Sequence, residues 1–159
     1  MKSGRILATI AIALCATNAA SAQTATQVVT FEVTAINQIS FSGSPSLSIN
    51  TAVAGNDPTS ANNATASWAV TTNQSNAKIT ASIDADMPAG LTLWVSLGAP
   101  AGSTGIGNSL STTSVDLVTG ITKLAQSGLS VLYSLDATPA AGVVASTTRT
   151  VTYTITGGT

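Results

Sequence analysis

Hydrophobic and polar residues alternate along most of this chain, and the 3.6-residue spacing of a helix is almost absent. Residues 26–41 read as one long strand, with Val29, Phe31, Val33 and Ala35 on one face and Thr30, Glu32 and Thr34 on the other. The apolar face resumes at Ile39 and Phe41, after Asn37 interrupts it. A turn at residues 43–45 leads to a short strand at 47–49, and Gly, Asn, Asp and Pro mark 52–64 as a loop. The sequence ASWAV then starts a strand with Ala66, Trp68 and Val70 on one face. After a turn at 73–76, Ala77, Ile79, Ala81 and Ile83 alternate with polar positions. Leu91, Leu93, Val95 and Leu97 do the same beyond a turn at 84–90. Residues 98–109 read as a second loop, and 110–118 as a weaker strand. Strands carrying Val131, Tyr133 and Leu135, and then Val151, Tyr153 and Ile155, close the chain.

Val, Ile and Thr lose rotamer freedom on a helix but pack well on a pleated surface, so strands win here. Seven or eight strands with turn signals at short intervals predict an all-β fold, an antiparallel sandwich of immunoglobulin-like type. Two sheets can bury their apolar faces against each other and leave the threonines in water. With no internal repeat and no linker, residues 23–159 are expected to form a single domain.

The start of the chain adds a compartment. Lys2 and Arg5 precede an apolar run at 6–14 and then Ala20-Ser21-Ala22, the pattern of a secretory signal peptide cleaved after Ala22. A membrane span would need about twenty apolar residues, so no membrane anchor is expected. Cys15 could belong to a lipoprotein signal, but Leu14 stands where that motif takes a small residue. Cys15 therefore reads as an apolar residue of the signal, and residues 1–22 are assigned to it.

Beyond residue 22 there is no Cys and no His. A secreted chain of about this size can still build a core without disulfides. Six acidic residues (Glu32, Asp57, Asp84, Asp86, Asp116, Asp136) face three basic ones (Lys78, Lys123, Arg149), a net charge of −3. Such a balance excludes a basic nucleic-acid footprint. Serine and threonine carry the solubility instead, and long strand edges would lack the charges that normally block strand addition.

Most catalytic chemistry falls away with the missing residues. Ser-His-Asp and Cys-His systems need His or Cys, as do the usual zinc sites. No Walker-type phosphate loop or dinucleotide fingerprint is present, so no cofactor is expected. Asp84 and Asp86 could act as a glycosidase pair or bind calcium with Asn56 and Asp57. No aromatic cluster surrounds them in sequence, and Asp is common at turns because it bonds nearby backbone N–H groups. The turn reading is preferred, with no catalytic or metal site and no enzyme activity expected. Trp68 shares a face with Val70 and is assigned to the core. Trp94 has the opposite parity to its apolar neighbours and should face outward, as a surface contact for a sugar ring or partner or under a covering loop.

The segments VTFEVTAINQISFSGSPSLSI and AGVVASTTRTVTYTIT resemble the two ends of small, cysteine-free exported fimbrial and pilin-like β-sandwich proteins. That resemblance implies a structural or surface-assembly subunit, secreted to a bacterial periplasm or cell surface. It further implies that Val29, Phe31, Val33 and Ala35 could form a strand added to another copy. The residues alone leave two destinations for this strand: the protein's own sheet, which is the first expectation, or a neighbour's. The alternative function is a monomeric carbohydrate-binding or adhesive module, with Trp94 and the loops against a glycan.

Overall fold

A computed structural model describes residues 21–158 of the chain, so most of the predicted signal peptide, Cys15 included, lies outside the described residues. The described residues fall into two units that part between Glu32 and Val33. In the first unit, residues 21–32 carry no regular secondary structure, and their apolar side chains are exposed. The second unit holds the β-sandwich.

Five strands form one sheet. β1 (Asn37–Ser42), β2 (Ala61–Thr72), β8 (Leu124–Ala137), β4 (Leu91–Leu97) and β6 (Asn108–Ser109) lie side by side in that order. The facing sheet has four strands, β5 (Thr104–Gly105), β7 (Val115–Ile121), β3 (Ala77–Ile83) and β9 (Val151–Thr156). All pairings are antiparallel. This is the all-β sandwich that the alternation predicts.

Period-two patterning decides what is buried. Trp68, Val70, Val95 and Val131 point inward from the larger sheet, against Ile79, Leu117 and Ile121 of the smaller one. Their polar neighbours along each strand stay partly or fully exposed. Trp68 is 2 % exposed, as its parity predicts, and its Nε1 has no hydrogen-bond partner.

The strand expected over residues 26–41 is much shorter. Only Asn37–Ser42 pairs, and residues 21–36 carry no regular secondary structure. The short strand expected at 47–49 does not form either. Gly43 is the cause of that break: its φ is +95°, and a Cβ there would lie 2.9 Å from Ala66 Cα. Only glycine tolerates both the angle and the approach. The chain thus leaves β2 at Gly43 and runs on unpaired, tied back by the Ala52–Pro58 bridge and the Asn63 bond to Ser46 O.

β2 begins inside the segment expected to be a loop, and the 98–109 loop contains the two-residue strands β5 and β6. The weak strand expected at 110–118 lies at Val115–Ile121 instead. β3 and β4 have the bounds that their alternation predicts.

Candidate functional site: an open groove between two unpaired edges

β1 and β9 are the edges of the two sheets on the same side of the sandwich. Phe41 of β1 stacks on Tyr153 of β9 with ring centroids 3.8 Å apart, and on Trp68 at 5.9 Å. Tyr153 and Tyr133 share a hydroxyl–hydroxyl hydrogen bond of 2.5 Å. Burial raises the pKa of both phenols above the ordinary value, most strongly at Tyr153, whose bond to Tyr133 raises it further. These rings close the space between the sheets at the level of β1.

Beyond that aromatic wall the sandwich opens. A groove of about 1130 Å³ runs between residues 45–52 on one side and 144–151 on the other. Leu93, Tyr133 and Leu135 of the larger sheet line it, with Val151 and Tyr153 of the smaller one. Leu47 and Ile49 are half-buried along one rim while Ser46, Ser48 and Asn50 are exposed, so this rim keeps a strand's alternation without a strand partner. At the far end, Thr138 N–H donates to Gly90 O at 2.9 Å and extends the β4–β8 ladder, and Ala141 N–H donates to Thr138 O at 3.0 Å in the turn toward the opposite rim.

Neither edge carries charge. β1 reads NQISFS and β9 reads VTYTIT. Each has one pairing partner, β2 and β3 respectively, so each leaves its other side without a ladder among the described residues. Natural sheets usually guard such edges with Lys, Pro or a bulge. The groove is chemically suited to one extended peptide: an apolar floor, an alternating wall, and margins of unladdered backbone, in which Ser46 O, Thr51 O, Thr148 O and both backbone groups of Thr150 already have partners.

Val29, Phe31 and Val33, read from sequence as one apolar face, are 72 %, 89 % and 77 % exposed, and Ala35 is exposed too. None of them belongs to a strand. The sequence therefore locates an alternating apolar arm, but it does not reveal the groove. Its signal was the residue pattern of 45–50, which reads equally well as a paired strand.

Asp84 and Asp86 occupy the turn after β3. Asp84 Oδ1 accepts from Thr150 N–H at 3.0 Å, and this bond lowers the carboxyl's pKa below its ordinary value. Asp86 Oδ1 accepts from Thr112 Oγ1 at 3.1 Å, while Asp86 O accepts from the Arg149 guanidinium at 2.7 and 3.1 Å. Both aspartates thus tie the β3–β4 turn to its neighbours. Among the described residues, no three His, Cys, Asp or Glu side chains lie together as a metal cluster.

Trp94 faces outward from β4, 41 % exposed, and pairs across the strands with Ser134 and Ser109. Leu132, also exposed, lies opposite Ser96 on the same outer face. No helix among the described residues is long and apolar enough to cross a membrane. The chain matches no family model, no curated protein and no solved structure.

Proposed function

We propose that the protein is a non-catalytic structural subunit that assembles by strand exchange, with the arm of one copy lying in the groove of the next. The observation that carries this reading is the match between an arm with one apolar face and no strand partner among the described residues and a groove with an apolar floor between polar rims. Residues 28–35 would span about 26 Å when extended, and the rim at 144–151 has the same number of residues. Val29, Phe31, Val33 and Ala35 would face the floor, leaving Thr30, Glu32 and Thr34 toward water. Ladder bonds to the margins would supply affinity, and alternate side chains would set the register.

The connection favours exchange over self-completion. Asn37 pairs with Thr72 at one end of the sandwich, and the groove starts beyond Phe41. An arm filling its own groove would have to reverse at Ile36 and run back along all six residues of β1, about 20 Å. A copy that donates at one end and accepts at the other makes a heterologous contact, which grows an open filament unless the rotation closes a ring. Secretion to a bacterial periplasm or cell surface fits this role and the predicted signal peptide.

The test is an SDS gel of the native, secreted protein, loaded with and without boiling. Strand exchange predicts a ladder in the unboiled lane that collapses to one band on boiling. A single monomer band in both lanes would contradict it.

A second reading rests on Trp94. An exposed indole between two serines on a flat sheet face can stack on a sugar ring. The protein would then be a carbohydrate-binding or adhesive module acting as a monomer. Retention on an insoluble glycan that is lost in Trp94→Ala would favour this reading.

A further inference from the structure

The root of the arm is held by one residue, Asn73, chiefly through its side chain. Asn73 directly follows β2, past the Asn37–Thr72 pair. Its Oδ1 accepts from Ile36 N–H at 2.8 Å, and its Nδ2 donates to Thr34 O at 2.7 Å. Its own N–H donates to Ile36 O at 3.2 Å. Gln74 Nε2 donates to the same Oδ1 at 3.0 Å and fixes which way the amide points.

A primary amide offers one acceptor and a donor in the same plane, as a peptide group does. In the β1–β2 ladder these bonds would come from the next residues of β2. Here the backbone has already turned away: Gln74 N–H donates to Thr72 Oγ1, and Lys123 N–H donates to Gln74 O. Beyond the one main-chain bond from Asn73 N–H to Ile36 O, the side chain of Asn73 continues the ladder in place of main chain. It holds residues 34–36 in line with β1, while the core lies elsewhere.

We propose that Asn73 is the positioning residue of the arm, keeping its root extended so that the arm is presented to another copy. This rests on the strand-exchange reading above. Without the clamp, residues 34–36 regain backbone freedom, and fewer arms at any moment point along the path a neighbouring groove can accept. Assembly slows although the groove and the apolar residues are unchanged.

The experiment uses the full secreted chain and two variants. Asn73→Ala removes both side-chain bonds. Asn73→Asp keeps the acceptor for Ile36 N–H but sets a second oxygen against Thr34 O. Assembly from monomer, Ile36 amide hydrogen exchange and melting temperature are measured on each. The expected result is assembly about three- to tenfold slower in Asn73→Asp, the size of one lost hydrogen bond, and at least as slow in Asn73→Ala, which loses two. Ile36 protection should be lost in Asn73→Ala and retained in Asn73→Asp, with little change in melting temperature. Wild-type assembly rates in both variants would overturn the proposal. So would slowing that merely follows a loss of melting temperature, because Asn73 would then be serving the fold. A wild-type protein that never multimerises would overturn the strand-exchange reading itself, and this inference with it.

Discussion

Phe41 and Tyr153 join two strands that share no hydrogen-bond ladder: their rings stack 3.8 Å apart, with planes 13° from parallel. Below this contact the two sheets meet, and above it they part to form the groove. The stack therefore separates the part of the sandwich completed by its own chain from the part left open.

Phe41→Ala should cost about 2–4 kcal/mol of stability, since it removes contacts to Trp68 and Tyr153 together. Urea denaturation of the monomer measures it. A change below about 0.5 kcal/mol, the range of ordinary surface substitutions, would mean that the stack closes nothing.

The tyrosine pair makes stability fall at high pH. Both phenols have folded pKa values above their unfolded value near 10. The protonated form is thus favoured by folding, and its contribution is fully present below pH 10. It is lost as pH rises above that value toward the folded pKa, because the unfolded chain releases its protons first. Tyr133→Phe should cost about 1 kcal/mol at neutral pH by leaving Tyr153 without its partner. It should also flatten the alkaline slope in a series of denaturation curves at increasing pH. An unchanged slope would sink this assignment.

Gly43→Val puts a β-branched side chain at φ +95° and against Ala66. Strain of about 1–3 kcal/mol is expected, read as a lower melting temperature. Its second effect is on the rim, since the chain can no longer leave β2 at this point. Assembly should fall by more than the stability loss explains.

Phe31→Asp changes an exposed side chain outside every strand, so the monomer's melting temperature should stay within experimental scatter. Multimers should nonetheless become much rarer, because the apolar floor of Leu93, Leu135 and Val151 would have to bury a carboxylate, with Arg149 as the one cation on the lining. Glu32→Gln, of opposite parity, should assemble normally. Equal effects from both substitutions would exclude the proposed register.

The sandwich was legible where one residue pattern had one meaning. Ala77–Ile83 and Leu91–Leu97 alternate strictly between turns, and both are strands with those bounds. The parities of Trp68 and Trp94 likewise predict which indole is buried and which exposed. Residues 26–36 alternate just as well, yet they form no strand. Alternation records that a segment suits a sheet but carries no mark of which sheet, because ladder bonds use backbone groups common to all residues. β2 was missed in its first half because Asn62 and Asn63 read as loop residues, while β8 pairs with their backbone. The Asn73 clamp depends on contacts between distant parts of the chain and leaves no local signature, and the groove's one local sign, the alternation at 45–50, reads equally well as a paired strand.

The most direct test of the account places cysteines in separate copies of a chain whose predicted mature form has none. One variant carries Phe31→Cys and the other Leu47→Cys on the groove rim. They are mixed, allowed to exchange under oxidising conditions, and boiled without reductant. The account predicts a covalent heterodimer from this mixture and none when Glu32→Cys replaces Phe31→Cys. Absence of the Phe31 cross-link, or equal cross-linking at position 32, would contradict the claim that the arm of one copy fills the groove of another.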